Sequence, residues 1–152
     1  MAAIGPAYTR PLRGSKLGDR VREDAARELR TAKTLDFQLV HARTELGFVV
    51  FLLGRHEEAL WEFREVLRVD PRLARASSGL GMTLVRLGKV DEAISAYDEA
   101  LRLAPSNAHA LYGRGLAKRK KGDLTGSDAD LAAARAIAPR VAEDYAAYGV
   151  RP

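Results

Sequence analysis

The stretch LGMTLVRLGKVDEAISAYDEALRLAP (80–105) recurs with substitutions along this chain and decides its fold. Two further copies, LGFVVFLLGRHEEALWEFREVLRVDP (46–71) and RGLAKRKKGDLTGSDADLAAARAIAP (114–139), align with it without a gap. The prolines that close the three copies therefore recur every 34 residues. A period of this length predicts one supersecondary unit per repeat, stacked on its neighbours to form a continuous core.

Each copy is typical of two helices. In the middle copy, the spacing of apolar residues predicts a first helix over about 73–87 and a second over about 90–103. Gly88 ends the first helix because glycine tolerates the left-handed conformation found at helix C-termini. Pro105 stops the second pattern because proline lacks the amide hydrogen that a helix interior requires.

A glycine also recurs inside each first helix, where it costs about 1 kcal/mol relative to alanine. We predict that close packing compensates for this cost. Gly81 is expected to lie opposite Ala93, with Tyr97 filling the wider space one turn later, and Gly47 and Ala59 are expected to repeat the arrangement.

These columns resemble the tetratricopeptide repeat family. The family's leucine–glycine pair matches residues 80–81, and its second-helix signature matches Ala93, Tyr97, Ala100 and Pro105. The aromatic residue often found early in the family's first helix is missing, and its position is held by Arg43, Ser77 and Leu111. The resemblance, closest to short bacterial members with three repeats, implies an all-α, right-handed α-solenoid of helix–turn–helix repeats with about eight helices.

The register predicts a flexible N-terminal tail at 1–18 and a single solenoid domain at 19–152. That domain is expected to comprise a half-repeat helix (19–36), three repeats (40–73, 74–107 and 108–141) and a C-terminal capping helix (140–149). In the capping helix, Val141, Tyr145 and Tyr148 fall on one face and are expected to cover the exposed end of the third repeat.

Composition narrows the class of protein. The chain has 152 residues, 47% of them apolar and 30% charged, with a net charge of +5 and no cysteine. Disulfides and thiolate metal sites are therefore impossible. No apolar run approaches the roughly 20 residues needed to cross a bilayer, and no secretory signal is evident, so we expect a cytoplasmic protein without membrane insertion.

The sequence offers no catalytic constellation. His41 and His109 occupy equivalent positions two repeats apart, too far along the stack to share a metal ion. Acidic pairs such as Asp91 and Glu92 fall in the first turn of second helices, where the helix dipole explains them. We therefore expect a non-catalytic protein that uses no cofactor and no metal.

A binding surface remains. By resemblance, the first helices of the repeats line a concave groove. The residues expected to face it are His41, Thr44, Glu45, Phe48 and Leu52, then Arg75, Ser78, Met82 and Arg86, then His109, Tyr112, Leu116, Arg119 and Lys120. Among these, an apolar column at the 34-residue period is predicted to form a strip flanked by positive charge. Its members are Phe48, Met82 and Leu116, which could alternatively be packing residues.

Such a groove suits a protein or peptide partner with apolar anchors and acidic residues. Gly79 and Gly113 could make room beside the strip for a peptide backbone. Two alternatives stay open. One is nucleic-acid binding through the basic ends of the chain, which we do not expect because aromatics that could stack on bases are not interleaved with the basic residues. The other is weak self-association through an incompletely capped end.

Four consecutive cations, residues 118–121, precede the glycine at 122. The repeat register places them in the last turn of a first helix, where cations complement the helix dipole. We therefore interpret the run as a feature of the terminal repeat rather than an import signal. Arg119 and Lys120 are expected to extend the positive margin of the groove.

Overall fold

Eight α-helices, and no strand, make up the residues that the computed structural model describes, which are 16–33 and 40–151. The helices are α1 (Lys16–Lys33), α2 (Val40–Leu52), α3 (His56–Val69), α4 (Ala74–Arg86), α5 (Val90–Leu103), α6 (Ala108–Lys121), α7 (Leu124–Ile137) and α8 (Val141–Ala147). The predicted all-α fold of paired helices is thereby confirmed. None of these helices combines the length and the apolar character that spanning a bilayer requires.

Helix ends follow the local signals in the sequence. Helices α4 and α5 match the predicted spans to within one residue, and the glycines that follow the first helices adopt positive φ, 75° at Gly88 and 94° at Gly122. Two second-turn amides are capped by side chains, since Asn107 accepts from Ala110 N at 3.1 Å and Asp123 accepts from Gly126 N at 2.9 Å. Such caps satisfy amides that have no partner inside the helix.

The first helix begins earlier than expected. Helix α1 spans Lys16–Lys33 rather than 19–36, so the last three residues assigned to the flexible tail are helical. The rest of the predicted tail, 1–15, lies outside the described residues. Ala25 and Leu29, which the register identified as core positions, are buried with exposed fractions of 3% and 0%.

The chain divides into two compact units, residues 1–71 and 72–152. In unit 1, α2 packs against α1 and α3, and its core contains Leu29, Leu46, Val49 and Phe63. In unit 2, α4 pairs with α5 and α6 with α7, while α5 also packs against α6. The core of unit 2 includes Tyr97, Tyr112 and Leu131. The single domain over 19–152 stays a prediction.

The glycines inside the first helices lie against the bulky residues of the second helices. A Cβ on Gly81 would lie 2.9 Å from ring atoms of Tyr97, and one on Gly47 would lie 2.8 Å from the ring of Phe63. The predicted close contacts with Ala93 and Ala59 are therefore wrong in detail. The ring itself occupies the space that a side chain would need, because the aromatic residue reaches back across the helix pair.

Candidate functional site

In unit 1, α2 carries the first group of predicted groove residues, which divide by exposure. His41 is exposed, whereas Glu45 and Leu52 are half-buried. Thr44 is buried, and its hydroxyl donates to the carbonyl of Val40 at 2.7 Å, one turn earlier in the helix. The hydroxyl thus satisfies a helix carbonyl and is turned away from any partner.

In unit 2, the predicted groove residues lie on α4 and α6, and together they form what we name the α4–α6 face. It comprises Arg75, Ser78, Met82, Arg86, His109, Tyr112, Leu116, Arg119 and Lys120. Four of its cations are exposed, namely Arg75, Arg86, Arg119 and Lys120. The structure therefore brings the predicted cations of unit 2 to an accessible surface.

The predicted apolar strip is not open. Phe48, Met82 and Leu116 have exposed fractions of 6%, 3% and 2%. In unit 1, Phe48 lies edge-on against Phe63, with ring centroids 5.0 Å apart. The expectation that these three side chains form an accessible strip is wrong for the structure as it stands, and they act as packing residues.

The C-terminal segment, residues 141–150, lies on the α4–α6 face. The ring of Tyr145 is 5.0 Å from that of Tyr112 and stacks at 6.2 Å on the ring of His109. Its hydroxyl donates to the carbonyl oxygen of His109 at 2.7 Å and lies 3.2 Å from the hydroxyl of Tyr97. Tyr145 thus occupies a pocket built from α5 and α6.

Gly113 makes this pocket possible. It is buried on α6, and a Cβ at this position would clash with the hydroxyl groups of both Tyr97 and Tyr145. Sequence reasoning had identified Gly113 as a position where a missing side chain leaves room. The structure shows that the room holds two tyrosine hydroxyls of the same chain.

Burial keeps both tyrosines neutral. Desolvation raises the pKa of Tyr97 well above its ordinary value, and the neighbouring Tyr145 raises it further. Desolvation likewise raises the pKa of Tyr145, despite the opposing effect of its hydrogen bond with Tyr97. Loss of a proton from either hydroxyl would leave a charge in a buried site.

The flanks of the segment make further contacts. A carboxylate oxygen of Asp144 lies 3.5 Å from Nε2 of His109, and Arg86 donates to the carbonyl oxygen of Gly149 at 3.3 Å. Val141 and Val150, near the two ends of the segment, are buried. Two residues of the α4–α6 face, Arg86 and His109, therefore hold the segment by polar contacts on either side of Tyr145.

The basic run at the end of α6 is largely paired with acids. Lys118 lies 2.9 Å from Asp130, and Arg119 lies 2.8 Å from Asp128. Lys121 lies 2.6 Å from an oxygen of Asp91 on α5. Three of the four cations thus join α6 to neighbouring helices of unit 2, in agreement with a structural interpretation of the run.

Two buried acids were missed by the sequence analysis. Glu62 accepts from Arg43 at 3.0 Å, and Asp130 accepts from Arg114 at 2.7 Å. Burial opposes ionisation of Asp130, but hydrogen bonds from Arg114 and Lys118 outweigh it, so the pKa of this carboxyl is lowered. The available signal was the register, since residues 62 and 130 occupy the same repeat position and Arg43 stands where the family has an aromatic.

Over the described ranges 16–33 and 40–151, no group of three or more His, Asp or Glu side chains is arranged to hold a metal ion. His109 is instead engaged by Asp144 and Tyr145. The arrangement of the α4–α6 face is thus one of aromatic stacking, backbone hydrogen bonds and charge pairing, which are interactions that recognise a polypeptide segment.

Comparison with known proteins gives a consistent fold. A family model for the tetratricopeptide repeat matches residues 50–107 and 78–142. The solved structure of MamA has a TM-score of 0.69 at 24% identity, and the match covers 81% of this chain and 72% of the MamA chain. A search of curated proteins finds no matching sequence.

Two further solved structures are similar. YrrB, described as "a TPR protein with an unusual peptide-binding site", has a TM-score of 0.69 at 21% identity, covering 88% of this chain and 69% of YrrB. SycD, a type III secretion translocator chaperone of Yersinia enterocolitica, has a TM-score of 0.63 at 20% identity, covering 74% and 92%. At these identities the likeness concerns the fold.

Proposed function

Because this chain belongs to the tetratricopeptide repeat family, we propose that it is a non-catalytic protein-interaction scaffold whose α4–α6 face binds a segment of a partner protein. The observation that carries the proposal is the row of exposed cations on that face, Arg75, Arg86, Arg119 and Lys120. A partner with acidic side chains complements this charge, which favours encounter and orients the bound segment.

Similar structures support the proposal. YrrB is described by its peptide-binding site and SycD as a chaperone for translocators, and both share the fold of this chain. These printed descriptions concern those proteins. For this chain, the match of fold supports a role in binding protein segments, and the cations of the α4–α6 face support an acidic partner.

The test is affinity capture with the full-length chain, using extract of the cells that produce it, followed by titration calorimetry with the purified partner. We expect Arg86→Glu to weaken the partner's affinity by about tenfold or more, because it reverses a charge in the centre of the face. Arg135→Glu on α7 is the matched control, since it makes the same charge change at another exposed position.

Equal affinity of the wild-type chain and Arg86→Glu for the partner, or no specifically retained protein at all, would refute the proposal. Phe48→Ala is not a suitable probe. Because Phe48 is buried against Phe63, its truncation would leave a cavity in unit 1 and lower stability rather than report on binding.

A further inference from the structure

Residues 141–150 make contacts with the α4–α6 face that a bound peptide would make. They place one aromatic side chain, Tyr145, in a pocket, one carboxylate, Asp144, beside a histidine, and one backbone carbonyl, that of Gly149, on an arginine. We propose that this segment is a built-in ligand of the α4–α6 face, and that a partner binds by displacing it with its own acidic residue followed by a tyrosine. The inference rests on the proposed function.

The position of α8 supports displacement. Helix α8 packs mainly against α6 and only marginally against α7, the helix that directly precedes it in the chain. It is seven residues long, and helices this short are not stable by themselves in water. Its hold on unit 2 therefore depends on a few buried side chains, chiefly Val141, Tyr145 and Val150. Segments held in this way open locally at a small fraction of the global free energy of unfolding.

The contacts also define what an external ligand must offer. The pocket provides a carbonyl acceptor, His109 O, at 2.7 Å from the Tyr145 hydroxyl, and the ring of Tyr112 at 5.0 Å. A tyrosine fits this pocket, whereas phenylalanine would leave the carbonyl without its donor. An acidic residue immediately before the tyrosine reproduces the pairing of Asp144 with His109, which strengthens when the histidine is protonated.

The tether explains how the segment would regulate binding. Only residues 138–140 connect α7 to α8, so the effective concentration of the segment at the face is high, in the millimolar range or above for short linkers. An external peptide of equal intrinsic affinity therefore competes poorly. Weakening the tethered copy should uncover the face without changing the residues that line it.

The probe is a fluorescein-labelled synthetic peptide of residues 139–152, titrated with the full-length chain and followed by fluorescence anisotropy. We expect the Tyr145→Ala chain to bind this peptide at least about tenfold more tightly than the wild-type chain. The Ile137→Ala chain, altered at an exposed residue of α7, should behave as wild type. A peptide carrying Tyr145→Phe should bind the Tyr145→Ala chain more weakly.

Equal affinity of the wild-type and Tyr145→Ala chains for the peptide overturns the inference. So does loss of cooperative urea unfolding in the Tyr145→Ala chain, because Tyr145 would then be a fixed part of the core. Hydrogen exchange on the wild-type chain gives a second measurement. We expect the amides of 141–150 to exchange faster than those of α6, and equal protection overturns the inference.

The two proposals fail separately. If a partner is captured and Arg86→Glu weakens it, but Tyr145→Ala leaves peptide affinity unchanged, only the built-in ligand is refuted. If the peptide binds the Tyr145→Ala chain as expected but no partner is retained, the scaffold function is refuted. Exchange of the segment between two copies, seen as dimers in sedimentation, would contradict an intramolecular ligand.

Discussion

At the scale of single residues, the contact between a helical glycine and an aromatic ring holds each of the first two helix pairs together. Gly81 lies beneath Tyr97, and Gly47 lies beneath Phe63. Both rings are fully buried. The glycine lets the ring approach the helix backbone, and the packing gained offsets the lower helix propensity of glycine.

We expect Gly81→Ala to lower the free energy of unfolding by about 1–3 kcal/mol, since its Cβ would lie 2.9 Å from a ring that has no room to move. Urea unfolding followed by circular dichroism measures the change. Ser95→Ala, at an exposed position of α5, serves as control and should change stability by less than about 0.5 kcal/mol. A Gly81→Ala chain as stable as wild type would contradict the packing account.

The buried acids show the same scale from the other side. Arg43 replaces an apolar family position and is compensated by Glu62, which has an exposed fraction of 1%. Arg114 replaces the leucine found at 46 and 80 and is compensated by Asp130. Both substitutions are visible in the sequence, but pairing each arginine with its acid requires knowing which helix faces which.

At the scale of elements, helix ends were predictable because their signals are local. A glycine at positive φ follows α4 and α6, and a proline follows α5 by two residues. Each signal acts within a few residues of the chain, independently of distant contacts. Helix α8 was also predicted as a helix, but its location on the α4–α6 face was not.

The tyrosine pair that holds α8 gives an expectation for alkaline pH. Burial raises the pKa of Tyr97 and Tyr145 in the folded chain, whereas unfolded tyrosine titrates near about 10. Above that pH the folded state binds more protons than the unfolded state, so stability is intact below about pH 10 and falls as pH rises further.

Urea unfolding between about pH 9 and 11 tests this expectation, with a loss of at most about 1.4 kcal/mol per pH unit for each tyrosine. The chain carrying Tyr97→Phe and Tyr145→Phe should lose stability less steeply, because lysines titrate alike in both proteins. The charged groups around the site, His109 and Asp144, are also present in both. Parallel pH profiles of the two chains would disprove the account.

At the scale of the whole molecule, the net charge of +5 is distributed between ion pairs and the cations of the α4–α6 face. Pairing of Lys118, Arg119 and Lys121 with aspartates reduces the field of the most basic run. The aromatic residues on the α4–α6 face are themselves covered, since Tyr112 has an exposed fraction of 1%. Stacking platforms for bases are therefore not offered there.

We accordingly expect no retention of duplex DNA or single-stranded RNA in a gel-shift assay at about 150 mM salt, where contacts made by a few cations are largely screened. Any binding at low salt should disappear as salt is raised, and Lys120→Glu should weaken it. A complex that persists at physiological salt would favour the nucleic-acid alternative.

The amino-acid sequence by itself determined the helices, their ends, their pairing and the family, because each of these depends on local signals repeated every 34 residues. Only the tertiary structure decided which side chains are accessible and what lies on the α4–α6 face. The contacts of Tyr145 join residues 36 and 48 positions apart in the chain, separations that do not follow the repeat. A short last segment has no following copy to align with, so its position depends on which surface best buries its aromatic and apolar side chains.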